Sequence, residues 1–511
     1  MRKTGSVMFV GAGPGDPKLL TIKGREAIKR ADVVVYDRLA NPLLLAHART
    51  DARLIYVGKE ADRHSLPQEE INRLLVREAQ QGRLVVRLKG GDPSIFGRVG
   101  EEAEACRKEG IPFDIVPGIT SGVAAPLYAG IPLTHREYNS AVAFLTGHQC
   151  EQNAGRELDW AALAAVETLV IYMGVKNLPF IRERLLAHGK AADTPVALVR
   201  WGTLSEQQTL VGVLSTIDRQ AAEAKFSAPA IIVIGEVVRL RDTLEWYESK
   251  PLFGLTVAAA ADDPAEQEKS LLAELESLGA DVLPVAVAAR AAGADEDAVR
   301  LTDELEACRW LVFADERQAD FFFRTLRERR IDIRRIKARI AALGERTAQA
   351  LESRGLPAER LFAANEPLAA VYRNLPLAPG DRVLCLSGGP NGIVAYPDGV
   401  VWRTASAGRL AWVDSHPVAP LLRARTFDWL AADDPYHLEA LAQFAGEGWQ
   451  DRLLLCVGKE TAARARSMGW RQAVSCERGT SALAEELQRC LRALGVRTAQ
   501  HAEYLYQHHG R

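Results

Sequence analysis

Two short turns carry the clearest chemical signal in this chain: GAGPGD at Gly11–Asp16 and KGGDP at Lys89–Pro93. Each follows a β-branched apolar run and leads toward a helical segment. Glycine permits positive φ and close backbone approach, and a helix N-terminus offers free N–H groups. Two such turns meeting at one cleft can therefore hold a small molecule through backbone contacts. Pro14 and Asp16 stand where a dinucleotide GxGxxG loop needs its phosphate-facing positions, and no Lys-Ser/Thr pair follows as in a P-loop. An acidic turn suits a cationic or hydroxyl-rich ligand better than a polyphosphate.

The elements that must position these turns are legible as alternating patterns. SVMFV, ADVVVYD, ARLIYVG, RLVVRLKG and FDIVPG read as strands within residues 6–120, with Leu20–Arg30, Gln68–Gln80 and Gly97–Gly110 as covering helices. That alternation is the signature of an α/β sheet. The pattern resets through GIPLTHREYNS. AVAFLTGH, TLVIYMG, TPVALVRWGT, QTLVGVL and PAIIVIGEVV then predict a second sheet ending near Val238. Two lobes with a cleft between them are expected, at about 1–135 and 136–245. Thr243–Gly254, with Pro251 breaking helix continuation, holds a linker placed at 246–254.

Bulk properties narrow the classes. At 511 residues, 48% hydrophobic and 25% charged, the chain has room for three or four domain-sized units with their own cores. A net charge of −2 supplies no global basic field for nucleic acid. The N-terminal apolar run is too short for a signal peptide, and no stretch approaches a membrane span. Seven scattered cysteines without a CxxC pair read as buried thiols in a reducing, cytoplasmic setting. The ten histidines show no metal-ligand spacing, so no metal is expected.

The ordered motif set resembles the tetrapyrrole methylases, and within them the uroporphyrinogen-III C-methyltransferases. GAGPGDPKLLT, ADVVVYDRL, VGK at Val57–Lys59, RLKGGDP and VPGITS at Val116–Ser121 carry the likeness. GIPLTHR, YMG at Tyr172–Gly174 and WGT at Trp201–Thr203 extend it, over roughly residues 5–245. The resemblance implies S-adenosylmethionine as methyl donor and carbons 2 and 7 of uroporphyrinogen III as acceptors, giving precorrin-2 for sirohaem or cobalamin. It implies donor contacts from Pro14, Gly90, Gly91, Asp92, Ile95, Thr120, Ser121, Met173 and Gly202. A homodimer through this half is also implied.

Methyl transfer from a sulfonium needs alignment and exclusion of water, and afterwards the ring must lose a proton. Asp37 and Lys59 end the second and third strands, at the carboxyl edge where such sheets bind ligands. The family pattern makes Asp37 a candidate proton acceptor and Lys59 a candidate proton donor. Asp37 as a turn cap paired with Arg38 or Arg63, and Lys59 as a solvated strand end, are the alternatives. An eight-carboxylate substrate calls for cations, and Arg38, Arg63, Arg87, Lys89, Arg98 and Arg136 flank the motifs.

The C-terminal half contains an internal echo. ALGERTAQALESRGL at Ala342–Leu356 recurs as CVGKETAARARSMGW at Cys456–Trp470, each reading as a strand, a glycine and a Thr-Ala helix. WLVF at Trp310–Phe313 and FDWL at Phe427–Leu430 precede the two copies. This half, residues 255–495 before a polar tail at 496–511, resembles uroporphyrinogen-III synthase, a bilobal α/β protein. The expected architecture is thus a two-lobed methylase fold followed by a bilobal α/β synthase-like region. Three departures stand out: ADERQ at Ala314–Gln318 and Asp433–Pro435 replace hydroxyl-rich turns, and Trp402-Arg403-Thr404 replaces Tyr-Arg-Thr. Exchanging donors for carboxylates repels a polycarboxylate substrate, so weak or absent synthase activity is expected. A bifunctional enzyme that also cyclises hydroxymethylbilane, or a C-terminal half that only binds, are the other readings.

Overall fold

The structure is a computed structural model that describes residues 4–49, 51–58, 66–147, 158–261, 271–286, 294–363, 366–387, 393–395, 399–405, 419–435, 437–477, 485–486 and 489. It is a mixed α/β protein built on four sheets. In the first, β1 (Ser6–Gly11), β2 (Val33–Tyr36), β3 (Arg53–Tyr56), β4 (Leu84–Lys89) and β5 (Phe113–Val116) run in the order β3-β2-β4-β1-β5, all parallel. The registers Gly11↔Lys89 and Val10↔Val116 end β1, β4 and β5 at one level. The turns that follow them therefore emerge side by side.

The covering helices sit close to their expected positions, and each difference has a local cause. Helix α1 (Ile22–Arg30) starts after Thr21, whose side chain accepts from Gly24 N–H at 3.1 Å. Helix α2 spans Gln68–Gln80 as expected. Helix α3 (Val99–Lys108) begins two residues late because Arg98 adopts φ +58°, outside helical space. Helix α4 (Ser121–Tyr128) was not expected; it is short and carries an internal Pro126. Val7, Phe9, Val33, Val35 and Val85 pack with Leu74, Leu75, Ala103 and Cys106 of α2 and α3 as one core.

The second sheet holds β6 (Val142–Thr146), β7 (Thr168–Tyr172), β8 (Pro195–Arg200), β9 (Gln208–Val213) and β10 (Ala230–Ile234) in the order β6-β7-β10-β8-β9. Only the β6–β7 pair is parallel. Helices α5 (Trp160–Ala165), α6 (Leu178–Ala187) and α7 (Ile217–Glu223) pack Trp160, Ile181, Leu185 and Ile217 onto one of its faces. The expected linker is well anchored: Tyr247 is buried, donates to Thr203 O at 3.3 Å, and stacks edge-on with Tyr128.

The C-terminal half supplies two further sheets, containing β11 (Thr256–Ala261), β12 (Asp281–Ala286), β13 (Trp310–Phe313), β14 (Arg339–Leu343), β15 (Arg360–Phe362), β16 (Arg382–Leu386), β17 (Ile393–Ala395), β18 (Val401–Ala405), β19 (Trp429–Ala432), β20 (Leu454–Val457) and β21 (Ala473–Cys476). Their orders are β12-β11-β19-β20-β21 and β15-β14-β13-β16-β18-β17. The sequence echo becomes a structural one. β14 and β20 each end in a glycine, Gly344 at φ +82° and Gly458 at φ +87°, followed by helices Glu345–Glu352 and Lys459–Met468. Thr347 and Thr461 are both buried, and β13 and β19 lie parallel to β14 and β20.

By compactness the chain divides into two units. One comprises Met1–Val285 with Asp414–Pro435 and the described residues from Glu447 onward; the other comprises Ala286–Val413 with Tyr436–Gly446. No described helix is long and apolar enough to cross a membrane. Among the described residues no cluster of metal-ligating side chains occurs, and Cys106, Cys308, Cys385, Cys456 and Cys476 are buried free thiols.

The segment that joins the two methylase-like lobes hangs on Asn139. Its amide donates to Leu133 O at 2.7 Å and Thr168 Oγ1 at 2.9 Å, while its carbonyl accepts from His135 N–H at 2.8 Å. Asn139→Ala leaves these buried groups unmatched and is expected to cost about 2 kcal/mol. An earlier urea midpoint for the first unfolding transition, with the same slope, is the measurement that checks it.

Candidate functional site

The two glycine-acid turns touch each other directly. Gly13 N–H donates to Gly91 O at 3.2 Å and Gly91 N–H to Gly13 O at 2.7 Å, with both residues at positive φ (+77° and +69°). A third turn joins them: a Cβ on Gly118 would lie 2.4 Å from Gly91 O and 2.8 Å from Gly11 Cα. No side chain fits there, so the turns after β1, β4 and β5 meet backbone to backbone.

Asp92 clamps this junction. Oδ2 accepts from Gly118 N–H at 2.9 Å, and Oδ1 accepts from both Ser94 N–H and the Ser94 hydroxyl. Burial alone would raise the Asp92 carboxyl, but the donors from Ser94, Gly118 and Ile95 outweigh it and hold the group below the usual range. Asp92 is thus already engaged with the protein's own donors.

The second lobe reaches the same place through two turns. After β8, Trp201 and Thr203 adopt φ +49° and +75° around Gly202, where a Cβ would lie 2.2 Å from the Ala125 Cβ of α4. Thr203 Oγ1 accepts from Asp16 N–H at 3.0 Å, which ties this turn to GAGPGD. The Asn41 amide donates to Gly15 O at 2.8 Å from the other side. Burial raises the Asp16 carboxyl, against the opposing donors Lys18 N–H and Tyr128 hydroxyl. After β7, the Tyr172 hydroxyl lies 2.6 Å from Thr120 Oγ1 and accepts from Gly122 N–H at 2.9 Å. Met173 follows at φ +52° and is 55% exposed, an unusual state for an apolar side chain. Phe96 is also exposed and contacts the Tyr172 ring at 5.1 Å. Ile95 is half-buried and packs against the same cluster. Pro14 and Ser121 are half-buried in their turns. All nine expected donor-contact residues therefore belong to turns that meet at one edge.

The expected proton and carboxylate groups divide differently. Asp37 ends β2 with a side chain 26% exposed; Oδ1 accepts from Leu39 N–H at 3.1 Å and Oδ2 from Arg87 at 3.2 Å. Leu39 lies over Gly90, where a Cβ would come within 2.6 Å of it, so the Asp37 turn abuts KGGDP. Lys59 and Arg63 lie outside the described residues. Gly58, just before Lys59, sits against the Arg38 backbone.

Arg87 and Lys89 are a correction to the expectation that they meet substrate carboxylates. Both are buried, on the face of β4 covered by α3, and both pair with the fully buried Glu102. Burial, with help from Arg87, pulls the Lys89 ammonium below its usual range. Arg98 is exposed but forked onto Glu101 at 2.8 and 2.7 Å. Arg38 and Arg136 are exposed, with no ion pair to a described residue. Glu102 went unrecognised in the sequence, although it lies on the apolar stripe Val99, Ala103, Cys106 where a solvated glutamate does not belong. A separate surface pocket lined by Asp32, Arg49, Asp51, Arg53 and Arg83 lies at the amino ends of β2 and β3, away from these turns.

Comparison with known proteins places this geometry in a family. A model described as Tetrapyrrole (Corrin/Porphyrin) Methylases matches residues 6–218, and one described as Uroporphyrinogen-III synthase HemD matches residues 269–485. A curated Uroporphyrinogen-III C-methyltransferase of Bacillus subtilis is 47% identical over 364 residues, covering 69% of this chain and 72% of the relative. The chain belongs to the uroporphyrinogen-III C-methyltransferase family of tetrapyrrole methylases. A Priestia megaterium protein of the same name is 54% identical across 46% of this chain and 98% of its own length. The Siroheme synthase of Azotobacter vinelandii is 51% identical over 48% of this chain and 53% of that protein. Among solved structures, uroporphyrin-III C-methyl transferase from Thermus thermophilus, complexed with S-adenyl homocysteine, is 40% identical over 46% of this chain and all of that one, at a TM-score of 0.39.

The clamp in this methylase half has a pH signature. Because the folded Asp92 carboxyl titrates below the ordinary value of about 3.9, its stabilisation is present above that value and is lost as pH falls through the folded one. Asp92→Asn is expected to melt below wild type at neutral pH, with the gap narrowing below about pH 4 in a series of thermal melts. A gap that stays constant with pH would contradict the clamp.

Proposed function

We propose that the methylase half transfers methyl groups from S-adenosylmethionine to carbons 2 and 7 of uroporphyrinogen III, giving precorrin-2 for sirohaem synthesis. The observation that carries this reading is the convergence of Gly13, Gly91, Gly118, Thr120, Met173 and Gly202 at one edge, beside a partly exposed carboxylate, Asp37.

The residues fit the donor. Met173 and Phe96 are exposed apolar groups suited to a flat ring, next to turns rich in backbone donors and acceptors. A Cβ on Gly91 would project toward Thr120 and Ser121, with its nearest contact at 3.6 Å, so the glycine keeps a gap open between two turns. We assign donor binding to Pro14, Gly90, Gly91, Ile95, Thr120, Ser121, Met173 and Gly202, with Asp92 holding the turns together. When bound, S-adenosylmethionine supplies an electrophilic methyl carbon. The chain's task is then to align the acceptor carbon, exclude water and take up the proton the ring gives away.

Asp37 is the group we assign to that proton. It stands at the carboxyl edge, and its contacts with Leu39 N–H and Arg87 leave part of the carboxylate open to solvent. Lys59 is a candidate donor on sequence grounds alone. Arg38 and Arg136, both exposed, are the cations we assign to substrate carboxylates; Arg63 joins them on sequence grounds alone. We also infer a homodimer through this half. Its motif is Ile115 of β5, Ile119 of the turn after it and Val123 and Leu127 of α4, four apolar residues each more than a third exposed.

For the C-terminal half we propose a synthase fold with weak or absent synthase chemistry. Asp315 uses its carboxylate to cap helix Glu316–Glu328, accepting from Arg317 and Gln318 N–H at 3.0 and 3.1 Å. Arg403 is drawn into an ion pair with the buried Glu304. Asp315, a departure from the hydroxyl-rich turn, and Arg403, an arginine the family pattern shares, both face the protein's own scaffold.

The test is a paired assay on the full chain with S-adenosylmethionine. One tube receives uroporphyrinogen III and the other hydroxymethylbilane, and products are scored for methylation and ring isomer. Methylated product from the first tube alone is expected. Type III methylated product from both would make the chain bifunctional, and none from either would overturn the reading. Asp37→Asn is expected to lower kcat by about a hundred- to ten-thousandfold with donor affinity retained.

A further inference from the structure

Beneath the edge lies a buried chain of charges that reaches the edge through Asp37. Glu102, fully buried on α3, accepts from Lys89 Nζ at 2.8 Å, from Arg87 Nε at 3.4 Å and from the Gln68 amide at 3.1 Å. Arg87 then spends the rest of its guanidinium on Leu88 O at 3.0 Å, Val35 O at 3.4 Å and Asp37 Oδ2 at 3.2 Å. The guanidinium is therefore fixed from several sides, and among the described residues its contact at the edge is with Asp37.

We propose that Glu102 is the positioning residue of the methylase site: through Arg87 it holds the Asp37 carboxylate at the angle from which it takes the substrate proton. The inference rests on the assignment of Asp37 above. Glu102, Arg87 and Lys89 share a region from which water is largely excluded, with Asp37 at its partly exposed end, so removing the Glu102 charge is poorly masked by solvent. Arg87 and Lys89 are side chains of one strand two residues apart and share a face. With Glu102 neutral, their mutual repulsion and the unmatched charge leave Asp37 as the remaining carboxylate in contact with Arg87. The guanidinium would be pulled toward it, and the carboxylate turned in from the edge. Cys106, one helical turn further along α3, stays a neutral thiol, pushed up to about 11 by burial and by Glu102, and cannot replace the lost charge.

The experiment is a double-mutant cycle on the full-length chain, reading kcat and KM for both substrates with uroporphyrinogen III and labelled S-adenosylmethionine. Glu102→Gln is expected to lower kcat roughly ten- to hundredfold, with both KM values little changed, and Glu102→Asp to recover part of the loss. In an Asp37→Asn background, Glu102→Gln should cost nothing more, because the group it positions is gone. A full additional loss in that background, or a rise in KM with kcat intact, would overturn the proposal. If Glu102→Gln does not fold, Arg87→Lys reads the same path: it keeps the charge, loses the fork, and its kcat loss must likewise vanish with Asp37→Asn. An Asp37→Asn variant with wild-type kcat would instead overturn the assignment of Asp37 itself, a failure distinct from that of Glu102.

Discussion

The reciprocal pair of backbone hydrogen bonds between Gly13 and Gly91 is the contact on which the rest of the site depends. It exists because parallel strands β1 and β4 are neighbours in register, so two turns leave the sheet at the same height. It survives because Gly11, Gly91 and Gly118 carry no side chains where three backbones come within about van der Waals distance. Everything placed near the edge hangs from that junction. The Asp92 carboxylate fastens it to the turn after β5, and Thr203 and Asn41 fasten it to the second lobe and to the segment after β2. A site built this way is rigid without a large apolar core of its own, and it presents backbone groups rather than long flexible side chains.

Charge burial is the second constraint. A glutamate with no solvent exposure is tolerated only when its desolvation is offset by close cations, and Glu102 has two. Arg87 and Lys89 in turn are acceptable inside the fold because Glu102 and Asp37 match them. The four charges balance as a set. This places a polar cluster in the same layer as Val99, Ala103 and Cys106, and it connects α3 to the reactive edge through hydrogen bonds rather than through packing alone. A purely apolar layer would have been a simpler way to stabilise the lobe. Retaining ions there links the geometry of one partly exposed carboxylate to a helix otherwise remote from it.

Much of this was legible in the sequence, and the omissions have physical causes. Short β-branched runs bounded by glycine, aspartate and proline marked all the strands of both methylase lobes, since each signal is local. The echo between Ala342–Leu356 and Cys456–Trp470 was readable for the same reason: positive φ at Gly344 and Gly458 needs glycine whatever surrounds it. Arg87 and Lys89 misled because β4 is an interior strand of a parallel sheet, covered on both faces, where alternation no longer separates inside from outside. Their partner comes from α3, thirteen residues beyond Lys89, and no local pattern announces a tertiary ion pair. Arg98 flanks the motif as a candidate cation, but the left-handed turn that delays α3 also brings it onto Glu101. Helix α4 was hidden by Pro126 and by a flanking glycine-rich turn that reads as loop.

The C-terminal half shows which parts of a repeated fold its own packing demands and which it leaves open. Its strand–glycine–helix units need only small residues at the turn, a buried threonine and an apolar strand, and both copies keep all of these. The residues after β13 and within β18 are under no such demand. An acidic residue there finds structural employment at once, as Asp315 does by capping a helix N-terminus, where negative charge meets unpaired N–H groups and the positive end of the dipole. Arg403 follows the same logic from the opposite sign, because a buried glutamate on a neighbouring helix recruits the nearest guanidinium. Once such internal pairings form, freeing either group to face a ligand would leave its partner a buried group without a match. Stability of the scaffold therefore competes with any ligand-facing use of these groups.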